Sequence, residues 1–439
     1  MPTWMLLAAL TAAAGGPAAS PPPQAGVGAV GPVPAPGPGG RTWTLPEILN
    51  EADSHQPDVR DAKLKAGEAR ADWVTAGLIP NPQLQLGFSN LPFFGSRQDL
   101  SSQLLVYGAG ISEDIELGGK RGKRQASAEA GVSASDATVR DTQRTSHFDI
   151  QKAFLQALWA EERQRIATES LARYLDSVRL VKARFEAGED AGADVNKIEL
   201  EKQRYTQDAR ESARAAVEAR AELFRLVGIP GKPDEDRVDG SFPKEPLPAD
   251  VDALVKKALG NRPDLAALQA AQDKAEKDLE LARSQAVPDV NLGVAYAYSP
   301  STNPSGAVST IGATATVALP VFNRNQGEIQ KAELEVDRSK LANERGRADA
   351  EREVRLALGH LASASTAVDD LENDYLGRAD KALFVAERSF REGKASLLEF
   401  LEAQRTYLET RASYVDALLE RGASVLELQR AEGEGGTTP

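Results

Sequence analysis

The stretch SFREGKASLLEFLEAQRTY, Ser389–Tyr407, decides how this chain is read. A long helical run ends here, breaks at Gly393, and restarts at once as a polar amphipathic helix. An earlier stretch, RFEAGEDAGADVNKIELEKQRY at Arg184–Tyr205, has the same plan. Each reads Phe-x-x-Gly (Phe185 to Gly188, Phe390 to Gly393), then a short non-helical step, then a helix with an Arg-Tyr or Arg-x-Tyr end. Two such turns in one chain indicate a protein built twice from one unit.

Other anchors carry the same offset. His55-Gln-Pro-Asp-Val matches Asn261-Arg-Pro-Asp-Leu, and Pro82-Gln-Leu-Gln-Leu-Gly matches Pro288-Asp-Val-Asn-Leu-Gly, both 206 positions apart (261 − 55 and 288 − 82). Gly122 and Gly327 differ by 205, as do Gly188 and Gly393. A steady offset over so many anchors is the signature of an internal duplication.

Proline placement marks where helices stop. None occurs between Pro92 and Pro230 or between Pro320 and Pro439, and proline inside a helix costs about 3 kcal/mol. Each half then reads as one series. A helix of about 30 residues (Leu45–Ala76; Val251–Ala286) leads into segments that alternate with period two, the mark of a half-exposed strand. In the second half these are Val290, Leu292, Val294, Tyr296 and Tyr298, returning as Ile311, Ala313, Ala315, Val317 and Leu319. The first half has Leu84, Leu86 and Phe88, then Leu105, Tyr107, Ala109 and Ile111. Two β-hairpins result, at 82–117 and 288–319, with loops at 89–102 and 299–308. Proline-free helices follow over Gly119–Ala187 and Asn323–Glu392, each near ~100 Å at about 1.5 Å per residue. After the Phe-x-x-Gly turn, shorter helices return over Val195–Val227 and Leu397–Arg430. The opening half-length helix is expected to stack on the returning one, so that together they cover the long helix. The apolar positions Leu397, Leu401, Leu408, Val415, Leu418 and Val425 read as a coiled-coil-like packing seam.

The domain plan is thus a first repeat over 42–228, a linker over 229–249, and a second repeat over 250–430. Residues 1–20 resemble a secretory signal without its basic start. Segment 21–41 is Pro/Gly-rich and expected to be disordered, as is the tail 431–439.

Composition removes several functions. The formal charge of −13 lacks the basic footprint of nucleic-acid binding. With no cysteine, disulfides, thiolate metal sites and cysteine nucleophiles are excluded. His55, His147 and His360 show no ligand spacing, and Met1 and Met5 make no copper(I) ladder. No phosphate loop, nucleophile elbow or triad is present. The reading is not an enzyme, with no cofactor and no resident metal. No run of 18 apolar residues exists to form a membrane helix. The strands, however, are long enough for tilted membrane crossing. Open sheet edges are not tolerated in hydrocarbon, so four strands need several chains to close one barrel. Strands at one end of long helices describe an outer-membrane channel crossing the periplasm. The fold class is mainly α with a small membrane β part.

The sequence resembles the TolC-like outer-membrane efflux proteins from Thr42 to Arg430. Its most specific piece is Leu319-Pro-Val-Phe-Asn-Arg-Asn-Gln-Gly-Glu-Ile, at the strand-to-helix junction, where Pro320, Asn323, Arg324, Asn325, Gln326 and Gly327 are similar to the heavy-metal, cobalt-zinc-cadmium resistance branch. Glu116-Leu-Gly-Gly-Lys-Arg-Gly-Lys-Arg is its first-half counterpart. The resemblance implies a homotrimer with a twelve-stranded β-barrel continuous with an α-helical barrel. It also implies a periplasmic adaptor, a proton-driven inner-membrane pump and outer-membrane lipid as partners. The turns become the periplasmic tip, with Phe185, Gly188, Phe390, Gly393 and Lys394 as adaptor contacts. The family places carboxylates six and nine residues after the second glycine, here Glu399 and Glu402, as a tunnel constriction. A three-fold ring of like charges would favour cations. Solvated helix-face glutamates are the competing reading. Asp194, six after Gly188, either pairs with Lys394 or Arg391 to hold the tip shut or serves as the N-cap of the returning helix.

Two further groups are assigned by position. Lys120, Arg121, Lys123 and Arg124 are expected at the inner membrane interface near anionic headgroups. Phe93, Phe94, Tyr107, Tyr296 and Tyr298 are girdle aromatics or hairpin-loop packing. The leading function is a passive exit duct for heavy-metal cations. The same fold exporting organic compounds or secreted protein stands beside it, as does a soluble periplasmic coiled-coil adaptor or scaffold.

Overall fold

A computed structural model describes residues 40–89, 106–188, 192–300 and 306–434. Phe93, Phe94, Leu105, the signal-like start and segment 21–39 lie outside the described residues. The first repeat comprises β1 (Thr42–Thr44), α1 (Leu45–His55), α2 (Pro57–Ala76), β2 (Gln83–Ser89), β3 (Val106–Ile115), α3 (Lys120–Glu186), α4 (Gly192–Val227) and β4 (Arg237–Asp239). The second comprises α5 (Val251–Asn261), α6 (Pro263–Gln285), β5 (Val290–Ser299), β6 (Val308–Val317), α7 (Gln326–Asp370), a π-helical turn (Leu371–Tyr375), α8 (Leu376–Arg391) and α9 (Leu397–Ala431).

Each opening helix is two helices, not one. The residue before a proline is pushed out of the α region, and proline itself suits the first helical position. Gln56 and Arg262 are accordingly extended, with ψ of 122° and 121°, and α2 and α6 restart at Pro57 and Pro263. The Gln56 carboxamide accepts from Val59 N at 2.6 Å and so caps α2. Arg262 bonds Asp264 at 2.6 Å and Glu353 at 2.7 Å instead. The ends of the returning helices meet these breaks. Gly228 and Gly433, 205 apart (433 − 228), take left-handed φ of 80° and 81°. Each closes its helix by a bond from the following residue, Ile229 N to Phe224 O (3.2 Å) and Glu434 N to Gln429 O (3.0 Å). A Cβ on Gly228 would lie 2.7 Å from His55 O, and one on Gly433 2.8 Å from Arg262 N. The half-length helices therefore do adjoin end to end.

Boundaries shift for physical reasons. Ala431 to Glu434 belong to the α9 cap and not to a disordered tail, and Glu432 is buried against Lys257 at 2.6 Å. The linker 229–249 holds β4, which pairs in parallel with β1 through Trp43 and Val238. Order also starts before Thr42, because Arg41 N donates to Asp236 Oδ1 at 2.8 Å and Arg41 O accepts from Arg237 N at 2.9 Å. Helix α4 starts at Gly192, three residues before Val195.

The apolar core falls into three clusters. One joins Trp43, Ile48, Phe154, Leu158, Leu223 and Phe224 around the β1–β4 pair. A second joins Val354, Leu361, Val425 and Leu428. The third lies between α3, α4, α8 and α9 near the two turns and takes in Leu397 and Leu401 of the expected seam.

The remaining four strands form one antiparallel sheet in the order β2-β3-β5-β6. The two hairpins join through β3 and β5, from Tyr107↔Tyr298 to Ile115↔Val290.

Candidate functional site

The sheet sorts its side chains by face. Successive residues of a strand point to opposite sides, so paired positions share a face. Leu84, Ile111, Val294 and Ala313 fall in one row; Leu86, Ala109, Tyr296 and Ile311 in the next. Phe88, Tyr107 and Tyr298 make an aromatic row across three strands, with Phe88 edge-on to Tyr107 at 5.8 Å. These large apolar side chains are exposed, and an apolar patch of this extent marks a lipid or protein contact. Tyr107, Tyr296 and Tyr298 thus sit on strands and not in the loops. Phe88, expected as a strand residue, is a fourth aromatic in these rows.

The other face is small and polar. It carries Gln85, Gly110, Ala295 and Gly312 in one row, Gln83, Ser112, Gly293 and Thr314 in another, and Asp114, Asn291 and Thr316 at the helix end. Asp114 accepts from Asn291 Nδ2 at 2.8 Å. Among the described strand residues it is the single charge on this face. Apolar side chains outward and small polar ones inward are what a membrane barrel requires.

The strand-to-helix junctions are held by polar caps. In the second repeat α7 starts at Gln326, not Asn323, because Asn323–Asn325 form a turn. Asn325 is left-handed (φ 60°), the position Gly119 fills before α3 (φ 70°). Asn323 Oδ1 accepts from Asn325 N (2.9 Å), Gln326 Oε1 from Arg324 N (2.7 Å), and Asn325 Nδ2 donates to Ala282 O (2.7 Å). Pro320 and Gly327 lie on either side of this turn. In the first repeat, Lys120 Nζ lies 2.7 Å from Asp289 and is mostly buried. Arg121 Nε donates to Gly77 O (2.7 Å), and Arg124 bonds Glu116 (2.7 Å) and the Ala76 carbonyl (3.0 Å). Three of the four basic residues expected to meet headgroups are therefore committed within the chain. Arg121 and Arg124 close the C-terminal end of α2, whose last carbonyls need donors, while Lys120 ties the start of α3 to Asp289.

At the opposite ends of the long helices, the two turns differ. Gly188 and Gly393 are both left-handed, with φ of 80° and 70°. Phe390 is 2% exposed, whereas Phe185 is 46% exposed. The Phe390 ring stacks on Phe400 at 5.3 Å and 5°, and the Arg184 guanidinium lies 5.0 Å above it. Arg184 Nη1 also donates to Phe390 O at 2.6 Å, so a residue of the first repeat caps the end of α8 in the second. Phe390 consequently supports the tip from inside and is no surface contact. Above the first turn, Tyr174 stacks on Tyr205 at 4.2 Å and donates to Ile198 O at 3.0 Å. Burial pushes both phenols up, Tyr205 to about 12.

The carboxylates of the tip have local partners. Glu399 Oε2 accepts from Ser396 N (3.0 Å) while Ser396 Oγ accepts from Glu399 N (3.3 Å), a capping box on α9. The Ser-x-x-Glu spacing was visible in the sequence and could have revealed it. Glu402 is exposed, 3.7 Å from Arg405. Asp194 lies in the first turn of α4, two residues inside its start, so it is not the N-cap. Lys394 bonds Glu392 at 2.7 Å and Arg391 pairs with Glu387, so within one chain neither cation is on Asp194. The Lys394 bond, then that from Arg388, holds the Glu392 carboxyl below its ordinary range. Among the described residues, no three or more His, Asp or Glu side chains gather as a metal site.

The duplicated fold, two-faced sheet and paired turns agree with comparison against known proteins. The family model described as outer membrane efflux protein matches residues 48–229 and 254–434. The chain belongs to that family. The matched segments start 206 residues apart (254 − 48), the offset of the repeat. The cobalt-zinc-cadmium resistance protein CzcC of Cupriavidus metallidurans is 26% identical over 393 residues, covering 89% of this chain and 90% of the relative. The cation efflux system protein CusC of Escherichia coli is 25% identical over 407 residues, covering 88% and 86%. The pyoverdine export outer membrane protein OpmQ of Pseudomonas putida is also 25% identical, over 419 residues, covering 89% and 86%. The solved CusC structure superposes with a TM-score of 0.72 at 21% identity, covering 89% of this chain and 92% of that one. The Campylobacter jejuni CmeC outer membrane channel gives 0.74 at 14% identity, covering 89% and 86%. The chain is an outer-membrane efflux protein extending into the periplasm, and the reading as a soluble adaptor or scaffold is set aside.

Proposed function

We propose that three copies of this chain close a twelve-stranded barrel and a continuous helical tunnel, forming the passive exit duct of a tripartite efflux system for heavy-metal cations. The four-stranded sheet carries this reading. Its edge strands β2 and β6 are unpaired among the described residues. Such edges cannot stand in hydrocarbon, and pairing β6 of one copy with β2 of the next removes them. The apolar face then meets lipid and the Gly/Ala/Thr/Gln face lines the pore.

The relatives' names support the cargo. CzcC and CusC are cation resistance or efflux proteins by name. OpmQ, equal to CusC in identity, is named for an organic compound and supports the competing cargo. Deleting this chain from its host separates the two. Loss of tolerance to zinc, cobalt, cadmium or nickel supports metal export, and unaltered tolerance contradicts it.

At the tip, Glu399, Glu402 and Asp194 form the constriction, and Phe185, Gly188, Gly393 and Lys394 present the surface for a periplasmic adaptor linked to a proton-driven inner-membrane pump. Both glutamates project from the exposed side of α9, where three-fold symmetry would gather negative charge. Glutamine keeps a capping box intact, so Glu399→Gln with Glu402→Gln removes charge without removing the cap. In planar bilayers this double variant should raise conductance and weaken cation preference. Unchanged conductance would refute the constriction.

A further inference from the structure

We propose that Phe322, in the turn between β6 and α7, packs against Leu78 and Ile79 of a second copy of this chain, locking neighbouring copies where strands give way to helices. The inference rests on the closed-barrel reading and adds a place and a residue to it. Phe322 is 92% exposed, and its neighbours Leu319 and Val321 are exposed as well. The turn that presents them is not loose. Val321 N bonds Leu319 O (2.9 Å), the Asn323 and Gln326 side chains fix the following backbone, and Asn325 Nδ2 ties the turn to Ala282 O. A turn held by this many polar bonds, with its apolar side chains outward, is built to meet an apolar surface.

The matching surface lies at the other edge of the same sheet. Leu78 and Ile79, in the connector from α2 to β2, are 60% and 58% exposed. Their backbone is fixed in turn, by Arg121 on Gly77 O (2.7 Å) and Arg124 on Leu78 O (3.1 Å). Both connectors leave the sheet at its helix end. Strand β2 begins at Gln83, opposite Ser112, and β6 ends at Val317, opposite Val290, itself opposite Ile115. The strands alternate in direction, so joining β6 to the β2 of a second copy is antiparallel. It sets Leu319–Phe322 beside the Leu78–Pro82 connector of that copy. Lipid is the lesser candidate, because these residues lie beyond the strand ends and at the two edges that must join.

The absence of cysteine makes the contact directly testable. The full chain carrying Ile79→Cys and Phe322→Cys, treated with a short bis-maleimide in outer membranes, should run as covalent dimers and trimers, and either single variant as monomer. A control pairing Phe322→Cys with Leu247→Cys, in the linker between repeats, should stay unlinked. Phe322→Asp should lose the detergent-stable trimer while keeping its helical circular dichroism. Native trimers whose Ile79/Phe322 pair stays unlinked would overturn the inference and leave the trimer standing. A wild-type chain that never trimerises would instead overturn the closed-barrel reading.

Discussion

The two tips are read from sequence as one motif used twice, yet each is held by different chemistry. The second hairpin is clamped at its turn, where buried Phe390 stacks on Phe400 and Arg184 reaches across to cap α8. The first is clamped farther up, by the Tyr174–Tyr205 stack, while Phe185 at its turn is exposed. At the equivalent positions the repeats do not match. Phe400 corresponds to Val195, Tyr174 to Ala379, and Ser396 to Ala191, each 205 apart (400 − 195, 379 − 174, 396 − 191). Duplication preserved the backbone turn, which only needs a left-handed residue, and let the packing diverge. The second turn is packed at its end; the first offers an apolar side chain there. We propose that the first hairpin, with Phe185 exposed at its turn, is the one that meets a partner.

Substitutions at the two clamps should have separate effects. Phe390→Ala empties a buried stacked site and should cost about 3–5 kcal/mol, read as lost hydrogen-exchange protection across the α8–α9 turn. A small effect there would mean that the second tip is not clamped at its turn. The tyrosine clamp should respond to alkali. Each folded phenol lies above the ordinary value of about 10, so its stabilisation is complete below that pH and fades as pH rises through the folded value, about 12 for Tyr205. Hydrogen exchange in α4 should therefore accelerate above pH ~10 before exchange at the α8–α9 turn does, and simultaneous loosening would contradict separate clamps. Ser396→Ala removes the hydroxyl half of the capping box and should cost about 1 kcal/mol, seen as fraying at the start of α9. Phe185→Ala should change stability by only about 0.5 kcal/mol, as exposed substitutions do, while weakening any adaptor that reads the first tip in a binding assay.

Much of this architecture was legible because it is written in periods and punctuation. The 205–206 offset gave the duplication, period-two alternation gave the strands, and long proline-free runs gave α3 and the α7–α8 helix. The breaks at Pro57 and Pro263 were missed, because helical composition on both sides outweighed the rule that a residue before proline leaves the α region. The β1–β4 pair was not legible, because two three-residue strands far apart in sequence have no period to read. The π-helical turn at Leu371–Tyr375 leaves no offset between the repeats and so no trace in their alignment. At the site, the family resemblance singled out Glu399 and Glu402 by their distance from Gly393, but it could not show that Glu399 closes a capping box. Arg184 was invisible for another reason. Its partner is a backbone carbonyl of the other repeat, and no residue pattern records that.

We propose that this chain works as a closed three-fold channel in the outer membrane, and the number of chains in its native particle decides it. Native mass spectrometry of protein extracted from outer membranes in mild detergent should give a particle of three chains. A single-chain particle, or recovery of the protein in the soluble periplasm, would contradict the account.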